Sequence, residues 1–228
     1  MSLNVLAQEK YQLVSQRRAL QWFLLPVMLV TIALGWKYPL LGFTVAAAMA
    51  TGMIGGVLRG RYVCGNLCPR GAFFDRMVAP FAPRRKLPAW MRGLPFRLAV
   101  LAGLMGFMIW RIAQNPGDLN HWGLVFWSMC ALTTAVGLGL AFTLHPRAWC
   151  AICPMGTLQN LLGGHKQPLR IAASCRSCGK CEAACPMSLS IMPDKKAGAL
   201  KDRDCLKCPE CIAACPVNAL SWPEGRNG

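Results

Sequence analysis

Charge is scarce in this sequence. Asp, Glu, Lys and Arg make up 15% of its 228 residues, where a soluble domain carries about 25%. Acids are the rarer sign, with 9 Asp and Glu against 25 Lys and Arg. Together with 54% hydrophobic residues and a mean hydropathy of +0.36, the shortage excludes an ordinary soluble chain. Histidine is nearly absent too. His121 and His145 flank opposite ends of one apolar run and His165 lies outside the runs, so no two are placed at matched depth as haem ligands. A small-residue signal-cleavage site is also missing. The one near-match, Ala33-Leu34-Gly35, fits poorly, and the N-terminus is expected to be retained.

Four apolar runs are present: Ala19–Trp36, Pro39–Leu58, Leu94–Ala113 and Trp122–Leu144. A membrane span needs about 20 such residues, so about four transmembrane helices are expected, with Arg97 and Arg111 snorkelling from the ends of the third. Met28, Met49, Met53, Met105, Met108 and Met129 are scattered through these runs and read as packing residues rather than copper ligands. Lone Cys130 reads as a small packed side chain in the same way. Asp118 and His121, between the third and fourth runs, read as plain loop residues or as acceptors of quinol protons.

The basic residues are placed by membrane orientation. Arg59, Arg61, Arg70, Arg76, Arg84, Arg85, Lys86, Arg92 and Arg97 share one segment with a single acid, Asp75, while the opposite turns hold only Lys37 and Arg111. Lys and Arg bias marks the cytoplasmic side. A multi-pass protein of the inner membrane is therefore expected, with its N-terminus and cysteine-bearing segments in the cytoplasm. Membrane lipid accounts for the positive charge, and no nucleic-acid partner is expected. Residues 83–97 mix these cations with Leu87, Trp90 and Leu94, which suits either an interfacial helix or a basic connecting loop.

Twelve of the 13 cysteines fall in short-spaced groups, a pattern of metal ligation rather than of disulfides and one that fits a reducing compartment. The tail reads Cys175-x2-Cys178-x2-Cys181-x3-Cys185-Pro186 and, 30 residues on, Cys205-x2-Cys208-x2-Cys211-x3-Cys215-Pro216. This is the spacing of bacterial two-cluster ferredoxins, in which the fourth cysteine of each run ligates the other cluster. Two [4Fe–4S] clusters are expected, one on Cys175, Cys178, Cys181 and Cys215, the other on Cys205, Cys208, Cys211 and Cys185. Paired zinc knuckles are the competing reading.

A second repeat follows the second and fourth apolar runs. Arg61-x2-Cys64-x3-Cys68-Pro69-x-Gly71 is echoed by Arg147-x2-Cys150-x2-Cys153-Pro154-x-Gly156. Small-residue ladders lead into both, Gly52, Gly56 and Gly60 in one and Ala131, Ala135 and Gly139 in the other, and such ladders allow close helix contact in lipid. If the two helices pack together, Cys64, Cys68, Cys150 and Cys153 converge. A third iron–sulfur cluster, a redox-active dithiol and an unoccupied structural motif remain as readings. Arg61 and Arg147 either offset thiolate charge there or serve as ordinary cytoplasmic-face anchors.

The expected fold is an α-helical membrane protein of two pseudo-repeated hairpins with a C-terminal α+β two-cluster ferredoxin-like domain. Residues 1–18 form a cytoplasmic segment, 19–162 the membrane domain with both edge motifs, and 163–228 the ferredoxin-like domain. Helix pairs each followed by a Cys…Cys-Pro motif, then this module, resemble the NapH/NosR/CcoG-type membrane polyferredoxins. The resemblance implies electron transfer between the quinone pool and other redox subunits or proteins, with quinone or quinol as substrate. Metal reduction, as of cupric ion during cofactor assembly, and a structural anchor or sensor role are the alternatives. Cys150-Ala151-Ile152-Cys153 has two intervening residues where the resembling motif has three.

Overall fold

The computed structural model describes residues 3–223. Helix α1 (Leu3–Leu34) crosses the boundary expected near residue 18 without a break. The polar start and its apolar continuation are one rod of 32 residues, about 48 Å long at about 1.5 Å per residue. A bilayer core spans about 30 Å, and the surplus turns of α1 stand beside the C-terminal module. Lys10 donates to the Cys215 carbonyl at 3.0 Å, and Arg17 pairs with Glu210 at 2.7 Å.

A 3-10 turn at Pro39–Gly42 leads into α2 (Phe43–Arg59). Two short helices follow, α3 (Tyr62–Asn66) and α4 (Pro69–Phe73), the latter running into one π-turn at Phe74–Val78. After α5 (Ala89–Arg92) come α6 (Leu94–Gln114) and α7 (Leu119–Thr143). Then α8 (Ala148–Ile152) and α9 (Pro154–Gly163) repeat the short-helix pair. Pro69 and Pro154 each open a helix, where a missing N–H costs nothing. Among the described residues, α1, the 39–59 segment, α6 and α7 are long and apolar enough to cross a membrane. They leave Phe23, Ile54, Leu58, Ile109 and Leu132 exposed.

The small-residue ladders do not meet each other. A Cβ at Gly52 or Gly56 would lie 3.0 or 2.9 Å from the Gln159 side chain, and nothing lies within 4 Å of one at Gly139. The ladder of α2 instead receives α9, which the chain delivers there directly behind Cys153. Gly60 ends α2 at φ +60°, in a backbone region that favours glycine. Its position also leaves no room, since a Cβ there would meet the Gly163 carbonyl oxygen at 2.2 Å.

Nor does Arg97 snorkel. It is buried and donates to Asp204 at 3.0 and 3.2 Å, because the C-terminal module covers that end of α6. Within 83–97, α5 and the first residues of α6 are helical. Arg84 bonds the Ala183 carbonyl at 3.2 Å and Arg92 bonds Asp202 at 2.5 Å. The segment is an irregular stretch at 83–88 followed by short helix, and it is fastened to the module. Asp118 caps α7 by accepting from the Asn120 N–H at 2.9 Å, and His121 bonds the Arg111 carbonyl at 2.8 Å.

In the module, β1 (Arg170–Ile171) pairs antiparallel with β2 (Leu220–Ser221), around short helices α10 (Lys180–Ala184) and α11 (Glu210–Ala213). The 30-residue repeat is written into the backbone. Positive φ recurs at Ser177 and Lys207, and again at Ser188 and Asn218, each pair 30 apart (207 − 177; 218 − 188). The core of Leu169, Ile171, Leu189, Ile191, Leu206 and Leu220 also receives Cys64 and Cys150. The module thus rests directly on the loops that follow α2 and α7.

Candidate metal centres

Local geometry places the cysteines. Each edge motif leaves its spanning helix, turns through a five-residue helix (α3 or α8), and restarts at Cys-Pro. Cys64 and Cys150 therefore sit on the short helices, and Cys68 and Cys153 at the caps of α4 and α9. All 13 cysteines are free thiols; the 12 of the short-spaced groups line three cavities, four to each, and Cys130 on α7 also lines the cavity of the edge motifs. Cys175, Cys178, Cys181 and Cys215 surround one, with Ile171, Ile191 and Val217. Cys185, Cys205, Cys208 and Cys211 surround the next, with Leu169, Leu189 and Leu206. Cys64, Cys68, Cys150 and Cys153 line the third, with Trp149, Arg70 and Gln159. In the tail, each cavity takes three cysteines from one run and the fourth from the other.

The donor sets suit iron–sulfur clusters. Among the described residues, no three Cys, His, Asp or Glu side chains gather around a point as they would for a single ion. Each foursome instead encloses a void, as thiolates stand around a polynuclear centre. Trp149, which lines the third cavity, keeps its Nε1 buried without a hydrogen-bond partner, an orphaned donor that fits a site built for a further acceptor group. Burial pushes the thiols up: Cys205 to about 12 and Cys208 to about 11, and Cys64 and Cys68 above the usual thiol range. Metal binding replaces the proton and offsets that cost.

Guanidinium groups frame the third cavity with a swapped symmetry. Arg61 precedes Cys64 but reaches the Cys150 carbonyl at 2.5 Å; Arg147 precedes Cys150 but reaches the Cys64 carbonyl at 3.2 Å. The motif glycines make room for the exchange. A Cβ at Gly71 would meet Arg147 at 2.9 Å, and one at Gly156 would meet Arg61 at 2.6 Å. Arg147 also approaches Cys150 Sγ at 3.5 Å and Arg70 approaches Cys153 Sγ at 3.6 Å. Arg61 and Arg147 are 0% and 1% exposed, so they are interior struts and not surface anchors.

Two carboxylates hold those struts. Asp75 takes Arg147 and Arg17 at 2.7 Å each, and Asp204 takes Arg61 at 2.6 Å and Arg97 at 3.0 Å. Burial alone would raise both acids. The arginines outweigh it, holding Asp75 below the usual carboxylate range and Asp204 at about 2. His145 is depressed to about 4 by burial and by Arg84 and Arg147. Its Nδ1 accepts the Arg147 N–H at 3.0 Å, which leaves Nε2 to face Ser188 Oγ at 3.0 Å. Sequence reasoning missed Asp75 and Asp204 as scaffold residues; the signal for Asp75 was isolation, a lone acid within strongly basic surroundings, and Asp204, two residues after Asp202, gave none.

Beside the third foursome, a further cavity between α2, α6 and α7 is walled by Met49, Met105, Met108, Met129 and Met155, with Arg70 and Cys130 at its edge. The methionines that look scattered along the chain, four of them from the apolar runs, are gathered in space.

The 4Fe–4S binding domain profile matches twice, at residues 41–88 and 119–171. The 4Fe–4S dicluster domain matches residues 174–220. The chain carries 4Fe–4S ferredoxin-type domains. It is similar to the methylamine utilization ferredoxin-type protein MauN of Paracoccus denitrificans, at 28% identity over 186 residues, covering 75% of this chain and 63% of that protein. The MauN protein of Methylorubrum extorquens is 31% identical over 156 residues, covering 61% and 52%. The chain thus matches between about half and two thirds of the length of these relatives. No solved structure matches it.

Proposed function

We propose that this protein spans the cytoplasmic membrane four times and passes electrons between the quinone pool and a redox partner through three iron–sulfur clusters on its cytoplasmic side. The observation that carries the reading is the distribution of 12 cysteines as three foursomes, each around its own cavity. The clusters, when bound, supply reversible one-electron chemistry. Cys175, Cys178, Cys181 and Cys215 would hold one; Cys205, Cys208, Cys211 and Cys185 the second. Cys64, Cys68, Cys150 and Cys153 would hold the third, a reading supported by the two 4Fe–4S profile matches that each include one edge pair.

The chain's own residues support an order for the path. Gly65, next to Cys64, lies so close to the second run that a Cβ there would meet the Leu206 carbonyl oxygen at 2.2 Å, which favours the second run's cluster as the neighbour of the edge site. The first run's cluster lies furthest along. The cavity beside Arg70 supports the quinone link, since apolar walls with one cationic donor suit a lipophilic ring bearing carbonyl oxygens, and thioether side chains adapt to such a ligand. The NapH/NosR/CcoG-type resemblance points the same way. Orientation follows the basic bias of the 59–97 segment, and the exposed apolar flanks of the long helices suit lipid.

Anaerobic reduction tests the reading. A quinol analogue is expected to reduce the clusters of the intact protein in lipid nanodiscs. In Cys64→Ala or Cys150→Ala, dithionite is expected to reduce the two tail clusters while the quinol analogue does not. Unchanged quinol reduction in both variants would remove the edge site from the path.

A further inference from the structure

If the protein transfers electrons as proposed above, they must leave it at a cluster that a partner can approach. Of the 13 cysteines, Cys178 alone is exposed, so the first-run cavity comes closest to solvent. Edge-to-edge proximity to a partner is available there and not at the two inner foursomes. The surroundings of Cys178 are cationic. Lys10 donates to the Cys215 carbonyl at 3.0 Å and Lys195 to the Cys175 carbonyl at 2.5 Å. Arg176 lines the cavity itself, and Lys180 and Lys196 are exposed beside it.

The nearby acids offset only part of this collar, since Glu182 and Asp194 are two carboxylates against five cations and both are turned to the backbone rather than paired with a lysine. Glu182 accepts the Ile191 and Met192 N–H groups at 2.6 and 2.8 Å, and Asp194 accepts the Lys201 N–H at 2.8 Å. Among the described residues, Lys10, Arg176, Lys180, Lys195 and Lys196 form no ion pair within the molecule. The carbonyl bonds of Lys10 and Lys195 satisfy donors but neutralise no charge. A net excess of cations around the most accessible cluster site is a steering surface, which raises encounter rates with oppositely charged partners.

We infer that the face around Cys178 docks a soluble electron-transfer protein whose own redox centre lies under an acidic surface. In the encounter one electron passes between the outer cluster and the partner's centre, one side oxidised as the other is reduced, and no proton or bond need move.

The full-length protein in uncharged phosphatidylcholine nanodiscs tests this. Dithionite reduces it and is then removed. Stopped-flow mixing follows with plant plastocyanin, an acidic protein whose Cu(II) takes one electron to become Cu(I). A parallel arm uses cytochrome c, a basic protein whose Fe(III) becomes Fe(II). The plastocyanin rate is expected to fall by about tenfold or more as salt rises, because screening shortens the reach of the collar. Lys180→Glu/Lys196→Glu, which alters no cysteine and no cavity wall, is expected to slow plastocyanin by about tenfold and speed cytochrome c. Opposite responses cannot come from a damaged cluster. Rates that ignore both salt and the double variant, or a wild type faster with cytochrome c at low salt, would overturn the docking proposal while leaving electron transfer standing. A protein with no dithionite-reducible cluster would overturn the electron-transfer reading and the proposal with it.

Discussion

Asp204 ties three arginines from different parts of the chain to one point. Arg61 follows α2, Arg92 lies in α5 and Arg97 in α6, and all reach its carboxylate. Removing that charge would strand Arg61 and Arg97 in the interior. Breaking a buried pair in this way costs about 3–5 kcal/mol, so Asp204→Asn is expected to lower the stability of the assembled protein by that order, read by chemical denaturation in detergent. The pH dependence has a fixed sign. The folded pKa of about 2 lies below the about 3.9 of an unfolded Asp. The stabilisation is complete above about pH 4 and fades as pH falls through 2, and in Asp204→Asn that limb should be absent. At this scale the grouping of the cysteines was legible, because their spacing anticipates which of them line one cavity. The struts were not. Arg61 and Arg147 look like membrane anchors until Asp204 and Asp75, 143 and 72 residues away, are brought against them.

The short helices that carry the edge cysteines depend on how α2 and α9 meet. Gly163 approaches the Gly56 carbonyl oxygen so closely that a Cβ would lie 2.1 Å from it, and backbone cannot yield as a side-chain tip can. Gly163→Ala and Gly60→Ala are therefore expected to destabilise the protein and loosen the edge site. Gly139→Ala meets nothing within 4 Å, and in mid-helix alanine is favoured over glycine by about 1 kcal/mol. Its thermal midpoint should match or exceed that of the parent; a loss equal to that of Gly163→Ala would mean that α7 uses its small-residue stripe after all. Hydropathy found three of the four long helices to within a few residues, and the end of α1, since apolar length is a one-dimensional property. It misassigned the partner of the glycine ladder, because α9 is short, carries polar Gln159 at the contact and announces no membrane character. The start of α1 was hidden likewise: Lys10, Arg17 and the residues between them read as a polar tail, and only the ferredoxin-like module supplies the Glu210 and Cys215 contacts that hold them.

At the scale of the whole molecule, two repeats of different period are folded against each other. The 30-residue repeat builds the module and the helix-pair repeat builds its seat. Cys64 and Cys150 share a core with the module, so electrons would not have to cross a flexible linker. Convergence of the two edge motifs was an arithmetic expectation, four thiols left after eight; the swapped contacts of Arg61 and Arg147 are its three-dimensional form and could not be read from spacing. The account depends on that third foursome holding a cluster. Iron and acid-labile sulfide measured per chain on anaerobically purified protein tests it most directly, alongside Cys64→Ala and Cys150→Ala. Three four-iron centres predict about 12 iron atoms per chain, falling by the same increment to about 8 in either variant. A value near 8 in the parent, unchanged in both variants, would contradict it.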